Sequence, residues 1–223
     1  MKKLLFVIII DCAFISAALA QAADSSKFAL EAGITFNFFQ QQIKTEVGGV
    51  RGEVLVNESL LGLAVQGTYE LAEWLAAGIF TRYDRGTRSA GTFTGIDAGG
   101  HTITQGEVGG DYSEFWTGPL IQFRWKQLFV DAGYAALGRR RDEGRIDIPS
   151  VGGSTDGSFG TQSLTAFLFA ISGTISLSHK THLALRAEYR YRYYDSRNGE
   201  PLTDNLKHGT QSFYPYAGLK MNL

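Results

Sequence analysis

The side chains best suited to proton transfer in this 223-residue chain are four histidines, His101, His179, His182 and His208. A histidine that takes the proton of a nearby serine hydroxyl makes a nucleophile for acyl transfer. In one family of barrel deacylases such a pair is written His-x-Ser along a strand. None of the four histidines here has serine two residues later. His208 and Ser212 share parity, and Asp204 lies close in sequence, so these three form the one candidate relay. Solvated polar residues are the plainer reading of the same trio. Asp142, Asp147 and Asp156 are too widely spaced for the dense oxygen ligands of a calcium loop. The run Arg139-Arg140-Arg141 presents guanidinium forks suited to phosphate groups, or simply a solvated rim. These patterns yield no catalytic, cofactor-binding or metal-binding residues.

A second set of chemically active residues is larger. Charges recur at every other position of alternating segments: Glu31, Glu70, Arg82, Asp84, Glu114, Arg124, Asp131, Arg139, Arg186, Glu188, Arg190, Arg192 and Lys220. Alternation by two puts such residues on one face of a strand, with the apolar residues between them on the other. If that face is enclosed, each charge needs a partner, because an unpaired buried ion costs several kcal/mol. A satisfied polar plug is the expected outcome. The alternatives are a narrow path gated by Arg–Glu rearrangement and a catalytic carboxylate. Lys220 is expected to lie beside Glu31, since the last strand should close on the first.

Eight segments carry this alternation: 28–38, 61–71, 75–84, 112–125, 128–139, 165–177, 183–193 and 213–223. In the seventh, Leu183, Leu185, Ala187, Tyr189, Tyr191 and Tyr193 alternate with Ala184, Arg186, Glu188, Arg190 and Arg192. The connections alternate too. Those near Ala72-Glu73, Lys126-Gln127 and Ser178 to Thr181 are tight, whereas 41–60, 85–111, 140–163 and 194–211 are long, polar and rich in Gly, Asp, Ser and Thr. This pattern predicts an all-β fold, an eight-stranded antiparallel up-and-down transmembrane β-barrel with short periplasmic turns and long extracellular loops. Segment length matches the ~9–11 residues a tilted strand needs to cross a bilayer. A lipocalin-like soluble barrel would turn the apolar face inward. Three features favour the opposite: aromatic residues at strand ends (Trp74, Trp125, Tyr83, Phe115, Tyr191, Tyr193, Phe213), small residues beside long charged ones on the polar face, and the C-terminal pattern described next.

At the N-terminus, Lys2 and Lys3 precede an apolar stretch to about Ala20 with small residues at the end, the layout of a secretory signal peptide with cleavage after Ala20. The expected organisation is therefore a signal peptide over 1–20 and one barrel domain over 21–223. Cys12, the single cysteine, lies in the leader, so the barrel is built without disulfides. A formal net charge of −1 gives no reason to expect nucleic acid. The final segment, YAGLKMNL, alternates strictly to the last residue. Tyr216, Gly218, Leu219, Met221 and Leu223 resemble the C-terminal insertion signal of bacterial outer-membrane barrels, with Leu223 where that signal usually has Phe.

With that signal and the strand–turn rhythm, the chain resembles the small outer-membrane barrel proteins typified by OmpX and the transmembrane domain of OmpA. The resemblance implies a non-enzymatic integral outer-membrane protein of the Gram-negative cell envelope, serving envelope integrity or surface interaction through its loops. It implies outer-membrane lipids, lipopolysaccharide, the outer-membrane assembly machinery and an extracellular partner as contacts, and no cofactor. Two alternatives remain: an OmpW-like channel for small or hydrophobic solutes, and a lipid A-modifying enzyme.

Overall fold

A computed structural model describes residues 27–47, 50–104, 107–148, 153–197, 199–204 and 206–223. The expected leader over 1–20 lies outside the described residues. The rest is almost entirely antiparallel strand: β1 (Phe28–Val47), β2 (Val50–Ala72), β3 (Leu75–Ile96), β4 (Thr102–Thr104), β5 (Glu107–Trp125), β6 (Leu128–Tyr134), β7 (Leu137–Ile148), β8 (Gly153–Ser176), β9 (Thr181–Arg197), β10 (Glu200–Pro201) and β11 (His208–Asn222). The short β4 and β10 pair only with β3 and β9. β6 and β7 are two halves of one stave. Eight staves thus form an up-and-down ring, closed where β11 pairs with β1. Alternating side chains enforce this arrangement, because a sheet with one apolar and one charged face can shield both faces and remove its edges by closing.

The strands are longer than alternation alone predicts. β2 has 23 residues, or ~75 Å at about 3.3 Å per residue. The four connections expected as long loops are largely continuations of the sheet. Asn37 to Val47 stay in ladder register with Val50 to Leu60 across β1 and β2, and Arg139 to Ile148 pair with Gly153 to Gln162. Inner positions there, such as Val54, Glu58 and Phe93, are still buried, but they mix apolar with charged residues, so the period-two signal fades while the backbone hydrogen bonds continue. The three tight turns lie at the expected positions. Lys126 adopts a φ of 57° in one of them.

Two local breaks shape the wall. Between β6 and β7, Leu120 pairs with Gly133 but Thr117 pairs with Leu137, so one extra residue bulges out opposite Gly118 and Pro119. Proline has no N–H to give the ladder, which confines it to edges and bulges. A Cβ on Gly118 would stand 2.0 Å from the Tyr134 carbonyl oxygen, so the bulge needs glycine there. One inserted residue also reverses which side chains point inward. Asp131 is buried before the bulge, whereas after it Arg140 is buried and Arg139 exposed. The expectation that Arg139 faces the lumen is thereby corrected.

The second break is the closing seam. Among the described residues the β1–β11 ladder runs only from Ala29–Asn222 to Thr35–Tyr216. Leu223 N–H reaches the Phe28 carbonyl, so odd-numbered residues of β11 turn their backbone groups toward β1. Pro215 is the first odd position that cannot donate, and there the ladder stops. Beyond it the Asn37 side-chain amide takes the Phe213 carbonyl in place of a backbone donor.

The outer face of the barrel is apolar around its circumference. Phe36, Leu63, Ile79, Ile121, Val130, Phe169, Ile171, Leu185 and Leu219 are each roughly half exposed or more. Trp74 and Trp125 stand 59% and 71% exposed beside the tight turns. Soluble monomers rarely expose a contiguous apolar patch beyond a few hundred Å². No described helix is long and apolar enough to cross a membrane.

Candidate functional site: the charged lumen

Strand pleating directs one side chain in two to the interior, and there the charges meet in pairs. Glu188 of β9 is the hub. Its carboxylate accepts from Arg82 Nη2 at 2.7 Å, Arg190 Nη2 at 2.8 Å and Arg186 Nη1 at 3.2 Å. Arg82 is further anchored by donating to the Val65 and Thr81 carbonyls and to Gln66 Oε1, each at 3.1 Å. Arg186 also bonds Glu31 and Gln66 Oε1 and lies 3.6 Å from Asp131 Oδ2, while Gln122 donates to Asp131 Oδ1 at 2.8 Å.

Away from the tight turns the pattern continues. Arg190 Nη1 meets Asp84 Oδ2 at 2.5 Å, and Thr35 donates to Asp84 Oδ1 at 3.2 Å. Arg192 bonds Glu114 and donates to Ser212 Oγ at 2.7 Å, with the Tyr194 hydroxyl also on Glu114. Arg140 Nη2 reaches Glu58 Oε1 at 2.5 Å. Tyrosine rings cover the guanidinium planes: Tyr214 over Arg190 at 3.8 Å, Tyr112 over Arg140 at 4.2 Å and Tyr216 over Arg186 at 4.7 Å. Toward the tight turns, Arg124 bonds Glu70, and both are only partly buried. Lys220 is buried opposite Glu31 in the ladder, yet the Glu31 carboxylate is held by Arg186. A planar fork bonding several acceptors outcompetes a single ammonium for the same carboxylate.

Among the described inward side chains named here, seven carboxylates (Glu31, Glu58, Glu70, Asp84, Glu114, Asp131, Glu188) face six arginines and Lys220. The interior is therefore neutral, which is what buried charge requires. An apolar cluster of Phe80, Trp116, Leu120, Ala135, Ala166, Leu168 and Ala170 lines the interior beside these charges. A void between Phe80, Trp116, Leu168 and Arg190 holds about 10 Å³, room for one water at most.

Glu58, Arg140 and Tyr194 were not legible as interior residues. Glu58 and Tyr194 lie in stretches that read as polar loop, and Arg140 follows the bulge that shifts parity. Gly218 faces Gly33 across the seam, and the Tyr216 ring lies over both. A Cβ at Gly218 would stand 2.1 Å from the Tyr216 hydroxyl. Leu219 and Met221 are exposed on the outer face, and Leu223 is half-buried.

The candidate relay has other engagements. Asp204 pairs with Lys207 at 2.8 Å, Ser212 accepts from Arg192, and His208 stacks on Tyr194 at 5.1 Å between ring centroids. Asp142, Asp147 and Asp156 sit in the β7–β8 ladder. Among the described residues no group of three or more His, Cys, Asp or Glu side chains could hold a metal ion.

No family model and no curated protein matches the chain. Solved structures similar in outline include Neisserial surface protein A (15% identity, 88% of this chain and 97% of that one, TM-score 0.39). The outer membrane protein AlkL, solved in lipid bilayers, is 16% identical over 90% of each chain with a TM-score of 0.37. The translocator domain of the autotransporter NalP from Neisseria meningitidis is 12% identical over 100% of this chain and 98% of that one, with a TM-score of 0.32.

Proposed function

We propose that this chain is a non-enzymatic integral outer-membrane protein of the OmpX and OmpA-domain kind. Its plugged lumen is structural, and its tall hairpins serve envelope integrity or surface contact. The observation that carries this reading is the pairing of an apolar outer belt with a neutralised interior. Only a bilayer makes the first favourable, and closure of the ring satisfies the backbone within it. Lipopolysaccharide is a natural contact for the rim, where Arg139 and Arg141 remain exposed while Arg140 turns inward to Glu58.

The test is electrical. Purified protein in planar bilayers is expected to show no steady conductance, because the Arg82–Glu188–Arg190 cluster fills the bore. Sustained single-channel currents would overturn the plug. A second reading, a narrow path for small apolar solutes, has the apolar wall of Phe80, Trp116, Leu120 and Leu168 in its favour. The small void beside that wall counts against it. Uptake of a small apolar solute into protein-containing vesicles, above the rate of empty vesicles, would favour the path over the plug.

A further inference from the structure

We propose that the mouth of the barrel at the tight-turn end is a binding site for a small oxyanion, a phosphate or carboxylate group. This site stands whether or not the barrel conducts. The mouth is a cavity of about 380 Å³ whose lining includes Arg124, Lys126, Lys220, Thr174, Asn222 and Glu73. Three of these are cationic and one is acidic.

Lys220 is the decisive residue. It is 5% exposed, yet no carboxylate among the described residues lies within 4 Å of its Nζ. Its contacts are Gln122 Oε1 at 3.5 Å, the limit of a hydrogen bond, and the face of Phe129 at 3.8 Å. The ring offers partial compensation, but an ammonium has three donors to satisfy. Every other buried cation named in the lumen holds a carboxylate.

The neighbours complete an anion site. Arg124 spends Nη1 on Glu70 and Nε on Gln122, which leaves Nη2 for a ligand on a fork that suits oxyanions. Lys126 is fixed at the turn by its positive φ and lies 5.8 Å from the Trp125 ring. The Asn222 side-chain amide lies 3.2 Å from His182 Nε2, and His182 Nδ1 lies 3.1 Å from Ser176 Oγ, so the ring is held at the edge of the mouth. The cavity's positive character comes from the lysines and Arg124.

The oxyanion has two sources, a free solute or the headgroup of a lipid at that edge of the belt, and one experiment separates them. The full chain is placed in a phosphate-free maltoside micelle and titrated with inorganic phosphate or succinate, with chloride at matched ionic strength as control. Amide NMR shifts at Phe129, Thr174 and Asn222 are read. Saturable shifts with phosphate or succinate but not chloride identify a free oxyanion. Shifts that appear only when phosphatidylglycerol is added to the micelle identify a headgroup. In either arm Lys220→Met should weaken binding at least tenfold while amide shifts outside the mouth stay unchanged. Lys126→Asn, which keeps the left-handed turn, should weaken binding to a lesser degree. Absence of saturable shifts in both arms, or shifts unchanged in Lys220→Met, would overturn the site and leave a water-filled mouth.

Discussion

Glu188 accepts hydrogen bonds from three guanidinium groups and is fully buried. Glu188→Gln removes one charge and leaves Arg82, Arg186 and Arg190 facing each other around a neutral amide. Breaking a buried ion pair from one side costs about 3–5 kcal/mol. A loss of that order is expected in denaturant unfolding from lipid vesicles. Adding Arg82→Gln to the first change should restore part of it, because the surplus positive charge goes with it; additive losses would show that the two do not interact. A second residue-scale case lies in the water-exposed β3–β4 connection. Asp97 accepts the backbone N–H groups of Gly99 and His101, both at 2.8 Å, and the His101 ring at 3.2 Å. Chiefly the His101 N–H, aided by that ring and Gly99, holds the Asp97 carboxyl below its ordinary value of 3.8 against a smaller opposing effect of burial. A depressed carboxyl contributes stability that is present above its unfolded value and lost as pH falls through the folded one. Protection of the Gly99 and His101 amides, relative to their intrinsic exchange rates, should therefore hold at neutral pH and fall only below pH ~4. Asp97→Ala should lack that protection at every pH.

At the scale of elements, the closing seam is where the sheet is weakest. The β1–β11 ladder ends at Thr35–Tyr216, while β1 and β2 stay paired from Phe28–Tyr69 to Val47–Val50. Pro215→Ala returns the missing donor on the β1 side. A hydrogen bond worth about 0.5–1.5 kcal/mol should then form to Phe36, read as a protected amide at position 215. The unfolding midpoint will rise less than that, since proline also restricts the unfolded chain by about 0.4–1 kcal/mol. Rapid exchange at the new alanine would mean that something other than the missing N–H ends the ladder. Proline parity is a feature that sequence carries openly, but reading it requires knowing which edge position 215 faces, and that comes only from the register. The bulge at Ala135–Ala136 marks the same limit. Asp131 and Arg139 share parity in the sequence, and a single inserted residue sends one in and the other out. The eight staves and their tight turns were legible because a belt with one wet and one dry face imposes strict alternation. The partners inside were not, because Glu31 and Lys220 are ladder neighbours while Arg186, 155 positions from Glu31, takes the carboxylate.

The whole molecule is much taller than its apolar belt. Strands of about 20 residues rise ~65 Å along their own axes, whereas the outward apolar band of such a barrel is ~25 Å tall. The upper sheet therefore stands in water, and its hairpins form a wall to which the ion-paired bore contributes little. This geometry makes a direct prediction from the three tryptophans. Trp74 and Trp125 project outward beside the tight turns, and Trp116 points into the lumen at 5% exposure. Single-tryptophan variants, made by replacing the other two with phenylalanine, should respond differently to lipids brominated along their acyl chains. Trp74 and Trp125 should be quenched most by bromines near the headgroup, since their rings sit at the belt's edge. Trp116 should be quenched little at any depth, because the wall of β5 lies between it and lipid. Strong quenching of Trp116 together with weak quenching of the other two would mean that the apolar face is turned inward. The chain would then be a soluble barrel around a ligand, with the charged network on its outside.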